Sequence, residues 1–195
     1  MAEGRARTFV AIEPSPSTHA ALVRLKAAFA ATSADVRWVR DTALHCTVKF
    51  LGAVEVKHLE AVRDRLQEAL SRCPSTTAVA RGLGVFPSPK HPQILWVGFE
   101  GAGLAELADK VDTALSTLGF PRERRAFTPH ITLGRVKGRR GWDSVEEVMK
   151  AHAAEEFGTT RIDRVVVYRS DLRPDGAVHT PLWTIALRDS TLAES

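Results

Sequence analysis

The chain has 195 residues, a formal net charge of +4, two cysteines and an ordinary apolar and charged content. That is enough length for one domain with a buried core, and the composition excludes a disordered chain, a disulfide scaffold and a membrane-spanning bundle. The start, "MAEGRARTFVAIEPSP", carries charge but only a short apolar run, so it reads as a tail leading into a strand and not as a signal peptide.

"RTFVAIE" (7–13) is expected to be a strand. A helix follows it, with Ser15 or Ser17 as N-cap and Leu22, Leu25 and Phe29 on its inner face. "VRWV" (36–39) reads as a short strand, and 44–51 as a second one ended by Gly52. A helix over about 55–71 places Leu59, Val62, Leu66 and Leu70 at helical spacing. "TTAVARGLGVFP" (76–87) and "QILWVGF" (93–99) are expected strands joined through a turn at 88–92. The next helix carries Leu104, Leu107, Val111, Leu115 and Leu118 on one stripe and is closed by Gly119. "HITLGRV" (130–136) reads as a strand. Asp143 and Glu146 suggest a capping box for a helix to about 155, and 161–170 and 179–188 read as two last strands around "RPDG". The order predicts an α+β fold with antiparallel sheet and outer helices, in one domain over 1–195.

Two segments raise a chemical question. In "HCTVKFLG" the apolar Cys46, Val48 and Phe50 alternate with His45, Thr47 and Lys49. In "HITLGRV" Ile131 and Leu133 alternate with His130 and Thr132. Each strand therefore presents His-x-Thr on its polar face, and the two histidines lie in different halves of the chain. This predicts a two-lobed fold with pseudo-twofold symmetry, the two strands facing each other across a central cleft. A histidine on each side of a phosphorus can serve as base to an attacking water and acid to a leaving oxygen, which a single strand could not do. Each threonine hydroxyl can donate to a phosphate oxygen. Cys46, on the apolar face, reads as a buried thiol.

Paired His-x-Thr motifs, the first running on into "FLG" and the second preceded by Pro129, resemble those of the two-histidine (2H) phosphoesterases. "FVAIEPS", "VRWV", "GVFPSPKHPQILWVG" and "YRSDL" fit one branch, the bacterial and archaeal RNA 2′,3′-cyclic phosphodiesterases, also called 2′-5′ RNA ligases. The resemblance implies hydrolysis of an RNA 2′,3′-cyclic phosphate to a 2′-phosphomonoester, with 2′-5′ ligation as the reverse reaction. It implies His45 as proton donor and His130 as proton acceptor; the residues alone fix the pair, not the roles. It implies no cofactor, and no metal-ligand motif is visible. Another small cyclic phosphate as substrate, or an RNA-binding module without turnover, is the alternative.

Residues 122–140 hold seven basic side chains against Glu123, a net +6, which suggests a polyanion partner. Arg125 within it, Arg135, Lys49 and His91 are candidate substrate contacts. Arg135 is expected on the core-side face of its strand, at a strand end or in an ion pair. Lys49 has no counterpart in the second motif, where Gly134 stands. A cytoplasmic monomer that acts on RNA with a 2′,3′-cyclic phosphate end, without membrane contact, is the expectation.

Overall fold

The computed structural model describes residues 4–174 and 176–189. Among the described residues, nine strands and four α-helices follow in the order β1 (Arg5–Ile12), α1 (Pro16–Ala30), β2 (Val36–Trp38), β3 (Cys46–Glu55), α2 (Leu59–Leu70), β4 (Thr76–Ser88), β5 (His91–Glu100), α3 (Leu104–Ser116), β6 (His130–Val136), α4 (Trp142–Ala151), β7 (Glu156–Ile162), β8 (Arg164–Arg173) and β9 (Gly176–Ala186). The strands form one sheet ordered β7-β4-β5-β6-β3-β1-β8-β9, with β2 paired to β6.

The two expected lobes are the two halves of this sheet. They meet at β6 and β3 through a single residue pair, Ile131 with Cys46. The duplicated sheets are thus one continuous antiparallel sheet, pinched at the middle. It curls far enough that one residue, Asp163, links β7 at one edge to β8 near the other.

The helices pack on one face of the sheet. Leu22, Leu25 and Phe29 of α1, Val62, Leu66 and Leu70 of α2, and Leu104, Leu107, Val111 and Leu115 of α3 are buried there with Val10, Ile12, Cys46, Leu95 and Ile131 from the strands. Ser15 caps α1: its Oγ accepts from Thr18 N at 3.3 Å and donates to Thr159 O on β7, and Pro16 opens the first turn. Leu118 lies beyond the end of α3 and is exposed.

Two expectations about the last third fail. The capping box does not form: Gly141, in the left-handed region, precedes α4, and Glu146 accepts instead from Nε1 of Trp142 at 2.9 Å. Trp142 is buried, so its indole N–H needs that partner. The helix ends at Ala151, and 156–162 form the edge strand β7, so the strand expected over 161–170 is split at Asp163. The turn expected at 173–176 joins β8 to β9, with Asp175 outside the described residues.

β-Bulges decide which side chains reach the other face. Along β3, Thr47 pairs with Ala11 and Lys49 with Val10, so Val48 is an extra residue and the alternation reverses after it. Lys49 therefore turns to the helix side and Phe50 to the open side. β6 repeats the device: Thr132 pairs with Trp96 and Gly134 with Leu95, leaving Leu133 as the extra residue. Arg135 is thereby turned off the core side, where strict alternation would put it, and onto the open face. Gly134 takes the place of Lys49, and a Cβ there would lie 2.6 Å from Val36 and 2.9 Å from Trp38 on β2.

Candidate active site

The open face of the curled sheet holds a cleft of about 410 Å³, lined among others by His45, Thr47, His130, Thr132 and Arg135. Both His-x-Thr pairs face it, one from each half. The antiparallel pairing of Cys46 with Ile131 sets His45 on the Thr132 side and Thr47 on the His130 side.

The two imidazoles are held alike. His45 Nδ1 lies 2.9 Å from Ala43 O, and His130 Nδ1 lies 2.8 Å from Thr128 O, in each case the carbonyl two residues upstream. A carbonyl only accepts, so each Nδ1 carries the hydrogen and each Nε2 is left to exchange a proton in the cleft. Each ring is also backed by aromatic side chains. Phe9 stacks on His45 with centroids 4.8 Å apart, and Phe86 meets His130 edge-on at 5.0 Å, with Trp96 at 6.1 Å. Burial, with the neighbouring His179, lowers the His45 pKa to about 4, so this imidazole is neutral in the free protein at neutral pH. The sequence alone points to the ordinary histidine value near 6.5; the difference comes first from burial and then from the charges of His179 and His130.

Of the other candidates, Arg135 lines the cleft. Lys49 does not. It is 3% exposed on the helix side, where its Nζ contacts Asp112 of α3 at 2.5 Å and donates to Pro121 O at 2.7 Å. Arg125 is exposed in the segment before β6, and His91 is exposed at the start of β5; neither lines the cleft. The basic stretch 122–140 is dispersed. Arg122 binds Asp109 and Asp112, Arg139 donates to Lys90 O, and Arg135 and Lys137 line the cleft. The other cations at the cleft come from separate segments of the chain: Arg7, Arg37 and Arg40, and Arg173. No local charge run in the sequence signals this set. Cys46 is buried as expected, its thiol pushed up to about 12 by that burial.

The Lys49–Asp112 pair is structural. Burial raises the Asp112 pKa, but hydrogen bonds from Lys49, Glu123 N and Arg122 outweigh it, and the net direction is down. Lys49→Met leaves a buried carboxylate short of its main partner. The expected cost is ~3 kcal/mol, a fall in Tm of roughly 6–12 °C for a chain of this size, measured by thermal denaturation at neutral pH. The pair's contribution is present above the unfolded carboxylate range and is lost as pH falls through the lowered Asp112 pKa, so wild type and variant converge in acid. A wild-type Tm in the variant would contradict a stabilising role.

Comparison with known proteins places the chain. The 2′-5′ RNA ligase superfamily matches residues 13–174. A protein of Methanothermobacter thermautotrophicus named RNA 2′,3′-cyclic phosphodiesterase is 30% identical over 184 residues, covering 94% of this chain and 100% of that one. A protein of the same name from Thermotoga maritima is 29% identical, covering 91% of this chain and 93% of the other. Among solved structures, TT0787 of Thermus thermophilus superposes with a TM-score of 0.79 at 25% identity, covering 94% of this chain and 99% of that chain. Escherichia coli LigT in apo form shares the fold, with a TM-score of 0.73 at 23% identity, covering 94% and 98%. With the family matched across most of its length and two His-x-Thr strands facing one cleft, the chain belongs to the 2′-5′ RNA ligase superfamily.

Proposed function

We propose that the chain hydrolyses RNA 2′,3′-cyclic phosphate ends to 2′-phosphomonoesters by two-histidine acid–base catalysis. One observation carries the reading: two His-x-Thr pairs enter one cleft from opposite halves of the sheet, each imidazole holding its Nδ1 hydrogen on a backbone carbonyl. The activity named for the relatives supports it. His130 Nε2 takes a proton from water as the water oxygen bonds to phosphorus. The P–O3′ bond breaks, and His45 Nε2 gives its proton to O3′, leaving a 3′-hydroxyl and a 2′-phosphate. Thr47 and Thr132 donate to the non-bridging oxygens. In reverse, a 5′-hydroxyl attacks the cyclic phosphate and forms a 2′-5′ linkage. The test is incubation with an oligonucleotide ending in a 2′,3′-cyclic phosphate. A 2′-phosphate end is expected; an unchanged end or a 3′-phosphate would contradict the reading.

As donor, His45 must gain its proton together with substrate. The phosphate charge favours the imidazolium and offsets burial. A proton NMR titration of His45 should have its midpoint near 4 in the free protein, following the lowered pKa. Inorganic phosphate bound in the cleft should raise that midpoint. The His45 limb of the pH profile should accordingly sit higher in kcat, which reports the complex, than in kcat/KM, which reports free protein. A midpoint at the ordinary 6.5 that phosphate does not move would contradict this account.

A further inference from the structure

The cleft extends past His45, away from His130, onto β1, β8 and β9. There Ser170 pairs with His179 across β8 and β9, and Thr8 pairs with Arg169 across β1 and β8. The same antiparallel register sets Ser170 beside Arg7. Arg7, Ser170 and His179 thus form one row across three strands, and all three line the cleft. Among the described residues, Arg7 has no acid partner and the Ser170 hydroxyl no hydrogen bond, although Ser170 is only 7% exposed.

His179 completes a set of donors. Its ring lies edge-on to Phe9 at 4.9 Å and to His45 at 5.2 Å. Its Nδ1 is buried and has no hydrogen-bond partner. An orphaned N–H is the rarer and costlier state, so a bare Nδ1 puts the hydrogen on Nε2, which opens to the cleft. This tautomer is the opposite of that in His45 and His130. Burial and then the Arg7 charge lower the His179 pKa below the ordinary histidine value, which favours the neutral ring at neutral pH.

A guanidinium, a hydroxyl and an imidazole N–H offer donors, one of them permanently charged, and no carboxylate stands in the row. Acceptor-only oxygens with a fixed negative charge match it, which is the chemistry of a phosphodiester. Beyond it, Arg37, Arg40 and Arg173 continue the cationic lining toward the β8–β9 turn. The geometry points to a second anion subsite, formed by Arg7, Ser170 and His179, that binds the phosphodiester on the 5′ side of the terminal nucleotide while its cyclic phosphate lies between His45 and His130. The subsite rests on the reading of the acid–base pair given above, and it makes an RNA strand, not a mononucleotide, the preferred substrate.

The experiment compares a dinucleotide ending in a 2′,3′-cyclic phosphate with the mononucleoside 2′,3′-cyclic phosphate, in wild type, Arg7→Gln, His179→Phe and His179→Gln. The readout is the ratio of the two kcat/KM values. Wild type should favour the dinucleotide at least tenfold. Arg7→Gln and His179→Phe should bring the ratio to within about threefold of unity. His179→Gln, whose amide N–H reaches the Nε2 position, should keep most of the preference. Where turnover is slow, the ratio of affinities for the corresponding 2′-phosphate products, read by calorimetry, should follow the same pattern. Equal losses on both substrates, or no change in the ratio, would overturn the subsite. A wild type active on both substrates without preference overturns the subsite alone, whereas one inert toward both overturns the reading of the histidine pair.

Discussion

Replacing His45 or His130 by alanine is expected to lower turnover of a 2′,3′-cyclic phosphate by ~10²–10⁴-fold, the range for loss of a positioned general acid or base. In free energy that is about 3–5 kcal/mol at the transition state. The folded state loses much less. Both rings face the cleft and not the helix-side core, and the main packing lost is a ring contact, with Phe9 for His45 and with Phe86 for His130. Such contacts are worth about 0.5–1.5 kcal/mol, a Tm drop of roughly 1–6 °C. A folded, near-inactive protein is the expected result for each variant. The double variant should be little worse than either single one, because acid and base act in one displacement. Activity within about threefold of wild type in either single variant would remove that histidine from the chemistry.

Thr47→Val and Thr132→Val should each lower kcat by ~10–10²-fold with a smaller effect on KM. The change keeps the β-branched shape, so the strand is undisturbed. What disappears is a donor to a non-bridging oxygen whose charge grows in the transition state, and removing one such donor elsewhere costs ~10²–10³-fold. The lower figure is expected because two hydroxyls and the cleft cations share that charge. A rise in KM at constant kcat would mean that the hydroxyls bind ground state and transition state alike.

Much of this site is legible in the sequence because it depends on local alternation. His45 and Thr47, and His130 and Thr132, are two residues apart on strands, and no bulge falls between them, so period-2 reading puts each pair on one face. The bulges at Val48 and Leu133 come one residue later. Beyond them the reading inverts, which is why alternation alone points Lys49 into the cleft and Arg135 away from it. β9 holds the same trap. Trp183 pairs with Val167 and Pro181 with Tyr168, so Leu182 is extra. Counting back from the buried Ile185 then puts His179 on the wrong face. A bulge is set by sheet twist and by the neighbouring strand, neither of which is written in the strand's own residues. The cationic lining is hidden for another reason. Arg7, Arg37 and Arg173 are far apart in the chain and meet only when the sheet curls, whereas of the conspicuous run at 122–140 two residues, Arg135 and Lys137, line the cleft, while Arg122 is held by α3 and Arg139 by a loop carbonyl. The strand β7 escapes a reading by pattern because "EFGTT" lacks the apolar alternation that marks a strand, and its partner β4 supplies the pairing.

In this account protein side chains alone supply acid, base and phosphate donors. Among the described residues, no group of three or more His, Cys, Asp or Glu side chains could hold a metal ion. The most direct measurement is therefore the rate at which exhaustively chelated wild-type protein converts a 2′,3′-cyclic phosphate into the 2′-phosphomonoester, followed by phosphorus NMR. The same rate is expected before and after chelation, with no stimulation by added divalent ions. A rate that vanishes on chelation and returns only with a divalent ion would contradict it.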